Sequence, residues 1–183
     1  MKKAFVITLA AVSALAVAAR PAMGQSAAAK PSAQDVGINA ARDNWKSTIA
    51  YITAAAEELT DADYSYRPVP TVRTFAGLIG HIAGSQNMYC AMALGDKEPS
   101  EDDIEKTETT KAALVKALKA SNDYCAKAYG ISAASSTASV DLFGQRSTRF
   151  GALLQNATHN GEHYGNIVTY MRMKGMVPPS SKR

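Results

Sequence analysis

Hydrophobic residues recur at every third or fourth position along most of the chain, which is the period of an amphipathic α-helix. Together with polar caps at the starts and glycines at the ends, this pattern predicts four helices. They span about 39–59, 74–95, 109–130 and 147–175. The positions that define their hydrophobic faces are Trp45, Ile49, Ile52, Leu59, Phe75, Leu78, Ile79, Ile82, Leu114, Leu118, Leu153, Leu154, Ile167 and Met171.

The alternation of hydrophobic and polar residues that is typical of strands is almost absent, so the sequence predicts an all-α fold. Four helices of this length are typical of a four-helix bundle, and 183 residues with 46% hydrophobic composition can form one domain with its own core. The turn-rich segment 61–70, the polar and acidic segment 95–108 and the Ser/Ala-rich segment after Gly130 are expected to be loops.

The first 24 residues have the features of a secretory signal peptide. A lysine pair precedes the apolar stretch 5–19, and small residues suited to a cleavage site come just before Gln25. We therefore expect an exported protein, periplasmic or secreted, with an uncleaved membrane anchor as the alternative. Residues 25–36 are expected to be a flexible leader and residues 37–183 to form the bundle domain.

The charge of the mature chain argues against a nucleic-acid partner. The full sequence has 20 Lys and Arg and 16 Asp and Glu, for a net charge of +4. Three of the basic residues and none of the acidic ones lie in residues 1–24, so the mature domain is nearly neutral. It has no stripe of basic residues interleaved with aromatic ones. We expect an unidentified small-molecule substrate, no membrane contact once the signal is removed, and leave homodimer formation open.

Two of the three histidines in the chain are four residues apart in the fourth predicted helix. His159 and His163 would project from the same face, about 6 Å apart along the axis. His81 is in an apolar, small-residue stretch of the second helix, where an unpartnered imidazole would carry a desolvation cost. Since neutral imidazoles bind divalent ions, the three histidines predict a metal site with a position open for water or substrate. The alternative is polar surface histidines, or buried ones satisfied by backbone carbonyls.

The two cysteines, Cys90 and Cys125, lie equally far past the starts of their predicted helices. Antiparallel helices would separate the two cysteines by more than about 10 Å along the helix axis, which is too far for a disulfide, whereas parallel helices would place them level with each other. The segment 95–108 can span about 45 Å when extended, against about 30 Å of helix, so it can serve as a long crossover. The sequence thus allows an up-down-down-up bundle with a disulfide, and two buried thiols remain the alternative.

Two motifs give the mature chain a resemblance to the DinB/YfiT-like family of metal-binding four-helix bundles. The first is Arg73-Thr-Phe-Ala-Gly-Leu-Ile-Gly-His81, and the second is His159-Asn-Gly-Glu-His163-Tyr-Gly-Asn-Ile-Val-Thr-Tyr. The resemblance covers nearly the whole mature length. It implies an up-down-down-up bundle in which His81, His159 and His163 bind one divalent ion, with water completing the shell. Zinc or nickel is the expected ion, and iron and copper also suit three imidazoles.

The resemblance also bears on activity. Relatives of this kind include S-transferases and isomerases that use low-molecular-weight thiols, alongside many members with no assigned activity. Our leading hypothesis is a metalloenzyme with hydrolase-like or thiol-transferase-like chemistry, whose ion polarises a substrate oxygen or generates a hydroxide or thiolate nucleophile. The export signal departs from the usual setting of the family, because cytosolic thiols are not expected to be plentiful outside the cytosol. The alternative is a bundle that binds metal without catalysis or has a purely structural role.

Glu162 is the candidate catalytic residue. It is next to His163 and could act as a general base or as an acceptor beside the metal, although neighbouring helical positions diverge by about 100° and a solvated surface position explains it equally well. The pattern His-x-x-Glu-His also matches an inverzincin protease signature, but no acidic residue follows Glu162 to complete such a site. Arg67 and Arg73 could orient an anionic substrate, but surface arginines need no such role.

Overall fold

The computed structural model describes residues 31–182, and most of this part of the chain is helical. Its elements in chain order are α1 (Ala33–Glu58), a 3-10 helix (Asp61–Ser65), α2 (Phe75–Leu94), α3 (Asp103–Thr107), α4 (Lys111–Tyr129), α5 (Ala133–Ser136), β1 (Ser139–Leu142), β2 (Gln145–Thr148), α6 (Arg149–Met173) and a second 3-10 helix (Pro179–Ser181). The predicted all-α class is confirmed, with one small two-stranded sheet added to it. The predicted signal peptide and residues 25–30 lie outside the described residues.

The cap predicted for α2, Thr74, is present, and each of the other long helices also begins after a polar cap. The side chains of Thr74, Thr110 and Thr148 each accept a hydrogen bond from the backbone N–H three residues further on. At α1, Ser32 and Asp35 form a capping box in which each side chain accepts from the backbone N–H of the other. Because of this box, α1 begins at Ala33, earlier than predicted and inside the segment expected to be a flexible leader.

All three segments that we predicted as loops contain regular structure, and in the segment 61–70 this is the first 3-10 helix. The segment 95–108 includes α3, and the Ser/Ala-rich segment includes α5 and an antiparallel β1–β2 hairpin. Phe143 and Gly144 form its two-residue turn with φ of 57° and 78°, and the Asp141 carboxylate accepts a hydrogen bond from the Gly144 N–H at 2.8 Å. Strands of four residues are too short to show a clear alternation, which is why the hydrophobic pattern did not predict them.

Helices α2 and α4 run in the same direction and are covalently joined. Gln86 donates a hydrogen bond to Ser121, and one turn later Cys90 forms a disulfide with Cys125. The two cysteine Cα atoms are 5.3 Å apart, and both residues are fully buried. Of the two states that the sequence left open for these cysteines, the structure thus has the disulfide.

Helices α2 and α6 run in opposite directions. Near one end of the pair, the Tyr170 hydroxyl donates to the Arg73 carbonyl at 2.8 Å. Near the other end, the Asn156 amide lies 3.7 Å from the Cys90 sulfur. Residue 81 of α2 is therefore level with the middle of α6.

The hydrophobic core lies between the four long helices, and α2 contributes the largest share of it. The fully buried large side chains include Ile52, Leu59, Phe75, Ile79, Ile82, Leu114, Leu118, Tyr129, Leu153, Ile167 and Met171. One predicted core position is wrong, since Leu154 is 47% exposed. Within residues 31–182, no helix has both the length and the hydrophobicity required to cross a membrane.

Candidate metal centre

The three histidines of the chain meet at one point between α2 and α6. His159 and His163 project from the same face of α6, and the antiparallel packing brings His81 of α2 against them. The Nε2 atom of His159 lies 3.2 Å from Nε2 of His81 and 3.1 Å from Nε2 of His163. We call these three residues the histidine cluster. Its ligand nitrogens all lie within 4.8 Å of one another, so that the cluster could hold a metal ion.

The spacing of the ring nitrogens fits the geometry of one shared ion. Zinc binds imidazole nitrogen at about 2.0–2.1 Å, which places two ligands of a tetrahedral site about 3.3 Å apart. The two Nε2 separations at His159, 3.2 and 3.1 Å, are close to this value. Three protein ligands also leave one tetrahedral position for water or substrate.

Hydrogen bonds within the cluster account for this arrangement less well. Each imidazole nitrogen has either one N–H or one lone pair, so the Nε2 atom of His159 can form one good hydrogen bond in the ring plane. It nevertheless faces two other Nε2 atoms at similar distances. A single cation can bind the Nε2 lone pairs of all three histidines at once. A hydrogen bond at His159 Nε2 can account for only one of its two contacts, either with His81 or with His163.

The electrostatics of the cluster favour neutral imidazoles, which are the metal-binding form. Burial is the largest cause that lowers the pKa of His163 to about 3, and the neighbouring His159 and His81 contribute in the same direction. Burial is also the main cause of the lowered pKa of His81 and of His159. At neutral pH all three rings therefore keep a free lone pair.

Glu105 of α3 is a residue of this site that the sequence analysis did not find. One of its carboxylate oxygens lies 3.8 Å from Nδ1 of His81, and both accept from Nε of Arg73 at 3.1 and 3.0 Å. Its position depends on Gly80 of α2, where an added Cβ would lie 2.7 Å from the Cα of Glu105. The signal was present in the sequence as the glycines spaced along α2, which we interpreted only as a small-residue setting for His81.

His81, Asp102 and Glu105 form a second group whose ligand atoms also lie within 4.8 Å of one another. Both carboxylates already have cationic partners. Asp102 pairs with Lys106 at 3.0 Å, and Glu105 pairs with Arg73. Among residues 31–182, the Nε2 atoms of the histidine cluster have no such competing partners, so the cluster is the better candidate for the ion.

A cleft of about 760 Å³ opens beside the histidine cluster. Its lining includes His163, Arg73, Glu105, Glu162, Asn166 and Tyr170. Glu162 is exposed there, on the side of α6 next to the buried His163. Arg67 instead donates to the Pro70 carbonyl at 3.1 Å and is not part of this lining. The cleft thus contains Glu162 and Arg73 of the candidate residues named from the sequence, but not Arg67.

Three further polar residues near the histidine pair differ in their surroundings. Asn160 is fully buried and donates to Gln86 in the core. Tyr164 stacks on Tyr51 with ring centroids 5.4 Å apart, which is ordinary helix packing. The Asn166 amide is 3.3 Å from Nδ1 of His163. If that Nδ1 carries a proton, a rotated Asn166 amide presents its oxygen as the acceptor.

Several solved structures share the fold of this chain. A DinB-like protein from Bacillus cereus ATCC 10987 superimposes with a TM-score of 0.67 at 19% identity, over 78% of this chain and 95% of that one. A DinB-like protein from Bacillus subtilis gives a TM-score of 0.61 at 23% identity, over 79% and 99%. The mycothiol-dependent maleylpyruvate isomerase gives 0.57 at 13% identity, over 72% of this chain and 59% of that one. These identities show a common fold and no more.

The sequence comparisons point to the same family. No curated protein matches the chain. The sequence model of the DinB superfamily, however, matches residues 44–167. That match takes in α2, most of α6 and all three residues of the histidine cluster. Since it covers well over half of the 183 residues, the chain belongs to the DinB superfamily.

Proposed function

We propose that this protein is an exported metal-dependent enzyme whose histidine cluster binds one divalent ion beside a substrate cleft. The observation that carries the proposal is the position of His159 Nε2, which lies 3.2 and 3.1 Å from the Nε2 atoms of the other two histidines. Zinc or nickel is the expected ion, and iron or copper also fits three imidazoles.

We assign roles in the reaction to residues of the cleft. A divalent ion held by three neutral imidazoles supplies Lewis-acid chemistry and lowers the pKa of a water or thiol nucleophile. Glu162 lines the cleft close to His163 and is placed to accept a proton from substrate or nucleophile. Arg73, on the same lining, offers a positive charge for an anionic group of the substrate. The cleft volume of about 760 Å³ is in the usual range for a small-molecule site.

Two reaction classes remain to be separated by experiment. A hydrolase uses water as the nucleophile, and a thiol transferase uses a low-molecular-weight thiol. The mycothiol dependence of the maleylpyruvate isomerase, which shares the fold at 13% identity, makes a thiol reaction worth testing. Export of the chain favours the hydrolase class, because cytosolic thiols are not expected to be plentiful outside the cytosol.

We interpret the four long helices as an up-down-down-up bundle with the crossover 95–110 between its second and third members. The parallel contacts of α2 with α4 and the antiparallel contacts of α2 with α6 support this order. The pairing of Gly37 with Phe150 and of Tyr51 with Tyr164 supports parallel α1 and α6 in the same way.

Export is supported by the signal-like residues 1–24 and by the buried disulfide. Disulfides persist in oxidising compartments and are rare in a reducing cytosol. The test is to express the full chain in a bacterial host, separate periplasm from cytoplasm and sequence the N-terminus of the mature protein. A mature chain that begins near Gln25 in the periplasm supports the proposal, and an unprocessed cytoplasmic chain contradicts it.

Metal content tests the site itself. The untagged protein is dialysed against a weak chelator, reconstituted with zinc or nickel, and measured by elemental analysis. We expect one ion per chain in the wild type, and less than a tenth of that in His81→Ala and in His159→Ala. Thr158→Ala, which changes an exposed neighbour of His159, should keep the full content. A wild type that takes up no ion would contradict the proposed metal centre and support a purely structural role for the bundle.

Catalysis is tested on the metal-loaded protein. Ester and amide panels test hydrolysis, and electrophilic substrates with added thiols test transfer. Turnover that requires the ion and falls at least about 100-fold in Glu162→Gln supports an enzyme with Glu162 as the base. A loaded protein that turns over no member of either panel indicates a metal-binding protein without these activities.

A further inference from the structure

We propose that Glu105 is a positioning residue of the metal centre. Its carboxylate accepts the Nδ1 proton of His81, and this directs the Nε2 lone pair of His81 towards His159 and His163. The inference rests on the proposed metal site, and it assigns a role on the crossover α3, outside both histidine motifs. Three observations carry it.

The first observation is that the Nδ1 atom of His81 needs a partner. His81 is 5% exposed, and this nitrogen has no hydrogen-bond partner among the described residues. The Glu105 carboxylate oxygen at 3.8 Å is a charged acceptor facing it. The Glu105 side chain is 25% exposed and can move, and a shift of about 1 Å brings the pair to hydrogen-bonding distance.

The second observation is that glycines hold the backbone of the crossover directly against α2. A Cβ at Gly80 would lie 2.7 Å from Cα and 3.1 Å from N of Glu105. A Cβ at Gly84 would overlap the carbonyl of Glu101. Because backbone atoms oppose both positions, no side-chain rotation could relieve the contacts. The Cα of Glu105 is therefore fixed against the residue that precedes His81.

The third observation is that Arg73 orients the carboxylate. Its Nε donates to both oxygens of Glu105 at 3.1 and 3.0 Å, just ahead of the N-cap of α2. Two other acids lie near His81: Asp102 pairs with Lys106, and Glu101 accepts a hydrogen bond from the Ser85 hydroxyl at 3.3 Å. Glu105 is thus held between one arginine and the first histidine of the cluster.

The consequence concerns both orientation and charge. A histidine bound through Nε2 must keep its proton on Nδ1, and an acceptor there fixes the tautomer and the ring. The Glu105 carboxylate also places a negative charge on the His81 side of the site. Removing such an acceptor costs about 10–100-fold in metal affinity.

The experiment compares Glu105→Gln with Asp103→Asn, which removes the same charge from an exposed position of α3. Zinc affinity is measured by competition with a chromophoric chelator, and the site is monitored through the absorption spectrum of bound cobalt. In the metal-free protein, ¹⁵N NMR reports which nitrogen of His81 carries the proton. We expect Glu105→Gln to weaken zinc binding by about 10–100-fold and to alter the cobalt spectrum. Asp103→Asn should match the wild type in both.

The NMR measurement keeps this inference separate from the proposed function. We expect the metal-free wild type to hold His81 as the Nδ1–H tautomer, and Glu105→Gln to populate the other one. A wild type that binds no zinc defeats the proposed metal site, while the tautomer of His81 still decides the role of Glu105. An unchanged affinity and an unchanged tautomer in Glu105→Gln would overturn the positioning role. So would a second zinc equivalent that Glu105→Gln removes, because Glu105 would then be a ligand.

Discussion

At the scale of single residues, acid–base pairs outside the histidine cluster also shape the molecule. Asp63 accepts from the backbone and hydroxyl of Thr60 and forms an ion pair with Lys174 at 2.8 Å. It thereby joins the first 3-10 helix to the end of α6. These contacts lower the pKa of Asp63 to about 2. The hydrogen bond from Lys174 is the largest cause, and the hydrogen bonds from Thr60 come next.

This lowered pKa makes the stability of the protein sensitive to acid. A carboxylate whose pKa is below its unfolded value of about 3.9 stabilises the fold above that pH, and the effect is lost as the pH falls towards 2. Because Asp63 is 15% exposed and solvent screens the pair, we expect Asp63→Asn to cost about 1 kcal/mol at pH 7 and almost nothing at pH 2. Urea denaturation at both pH values measures the difference. Asp61→Asn, on the same 3-10 helix, is the control.

At the scale of elements, the contact between α2 and α3 depends on glycine for steric reasons alone. In a helix interior, Gly→Ala normally stabilises by about 1 kcal/mol. At Gly80 the added methyl would lie 2.7 Å from the Glu105 backbone, so we expect the opposite sign and a loss of more than about 1 kcal/mol. At Gly165 of α6 a Cβ meets nothing within 4 Å, so Gly165→Ala should be stabilising. Chemical denaturation of both variants compares the signs directly, and a stabilising Gly80→Ala would show that α3 packs elsewhere.

A second device at the scale of elements is the side chain of Gln86, which joins all four long helices. Its oxygen accepts from Trp45 of α1 at 2.7 Å and from Asn160 of α6 at 3.3 Å. Its nitrogen donates to Ser121 and Asn122 of α4, each at 2.9 Å. Gln86 is fully buried, so if its side chain were removed, water could not replace the hydrogen bonds that its partners lose.

We therefore expect Gln86→Leu to destabilise the fold by about 2–5 kcal/mol, because the Trp45 indole N–H and the Asn160 amide lose their acceptor. Combining it with Trp45→Phe removes one of the two orphaned donors, so the double variant should lose less than the sum of the two single variants. Urea unfolding of the four proteins forms the cycle. Strict additivity would mean that the hydrogen bond to Trp45 contributes nothing.

These elements show what the sequence could and could not predict. The long helices were found because hydrophobic period and polar caps are local signals. Thr74 is the predicted cap of α2, and α4 and α6 begin within two residues of their predicted starts. The histidine cluster was predicted from helical spacing together with the family resemblance. Glu105 was missed because its position depends on a close contact with Gly80, 25 residues away. The glycines of α2 are visible in the sequence, but they do not indicate which segment packs against them. The β1–β2 hairpin was missed because its strands are short.

At the scale of the whole molecule, α2 connects the site to the rest of the fold. It carries His81 towards α6, Gln86 towards every long helix and Cys90 towards α4. Its one face that lacks a long helix is covered by the crossover through Gly80 and Gly84. Burial on all sides explains why its hydrophobic residues extend around the helix instead of forming a single stripe.

Two cross-links on α2 then stabilise the fold separately: the disulfide to α4 and, under the proposed function, the ion shared with α6. Closing a loop of 35 residues stabilises by about 3–4 kcal/mol in the chain-entropy description, so the Cys90→Ala/Cys125→Ala variant should lose about that much. Zinc at 100 times its dissociation constant should add about 2.7 kcal/mol to the wild type and nothing to His81→Ala.

The two effects should add, because His81 and Cys90 are about 13 Å apart along α2 and sites that far apart rarely couple. Denaturant unfolding of wild type and the double-cysteine variant, each with and without zinc, completes the cycle. We expect the zinc increment to agree within about 0.5 kcal/mol between the two proteins. A clearly smaller increment without the disulfide would contradict independence. It would mean that the bond to α4 holds α2 in the rotation that aims His81 at α6, and that oxidation of the two cysteines favours metal binding.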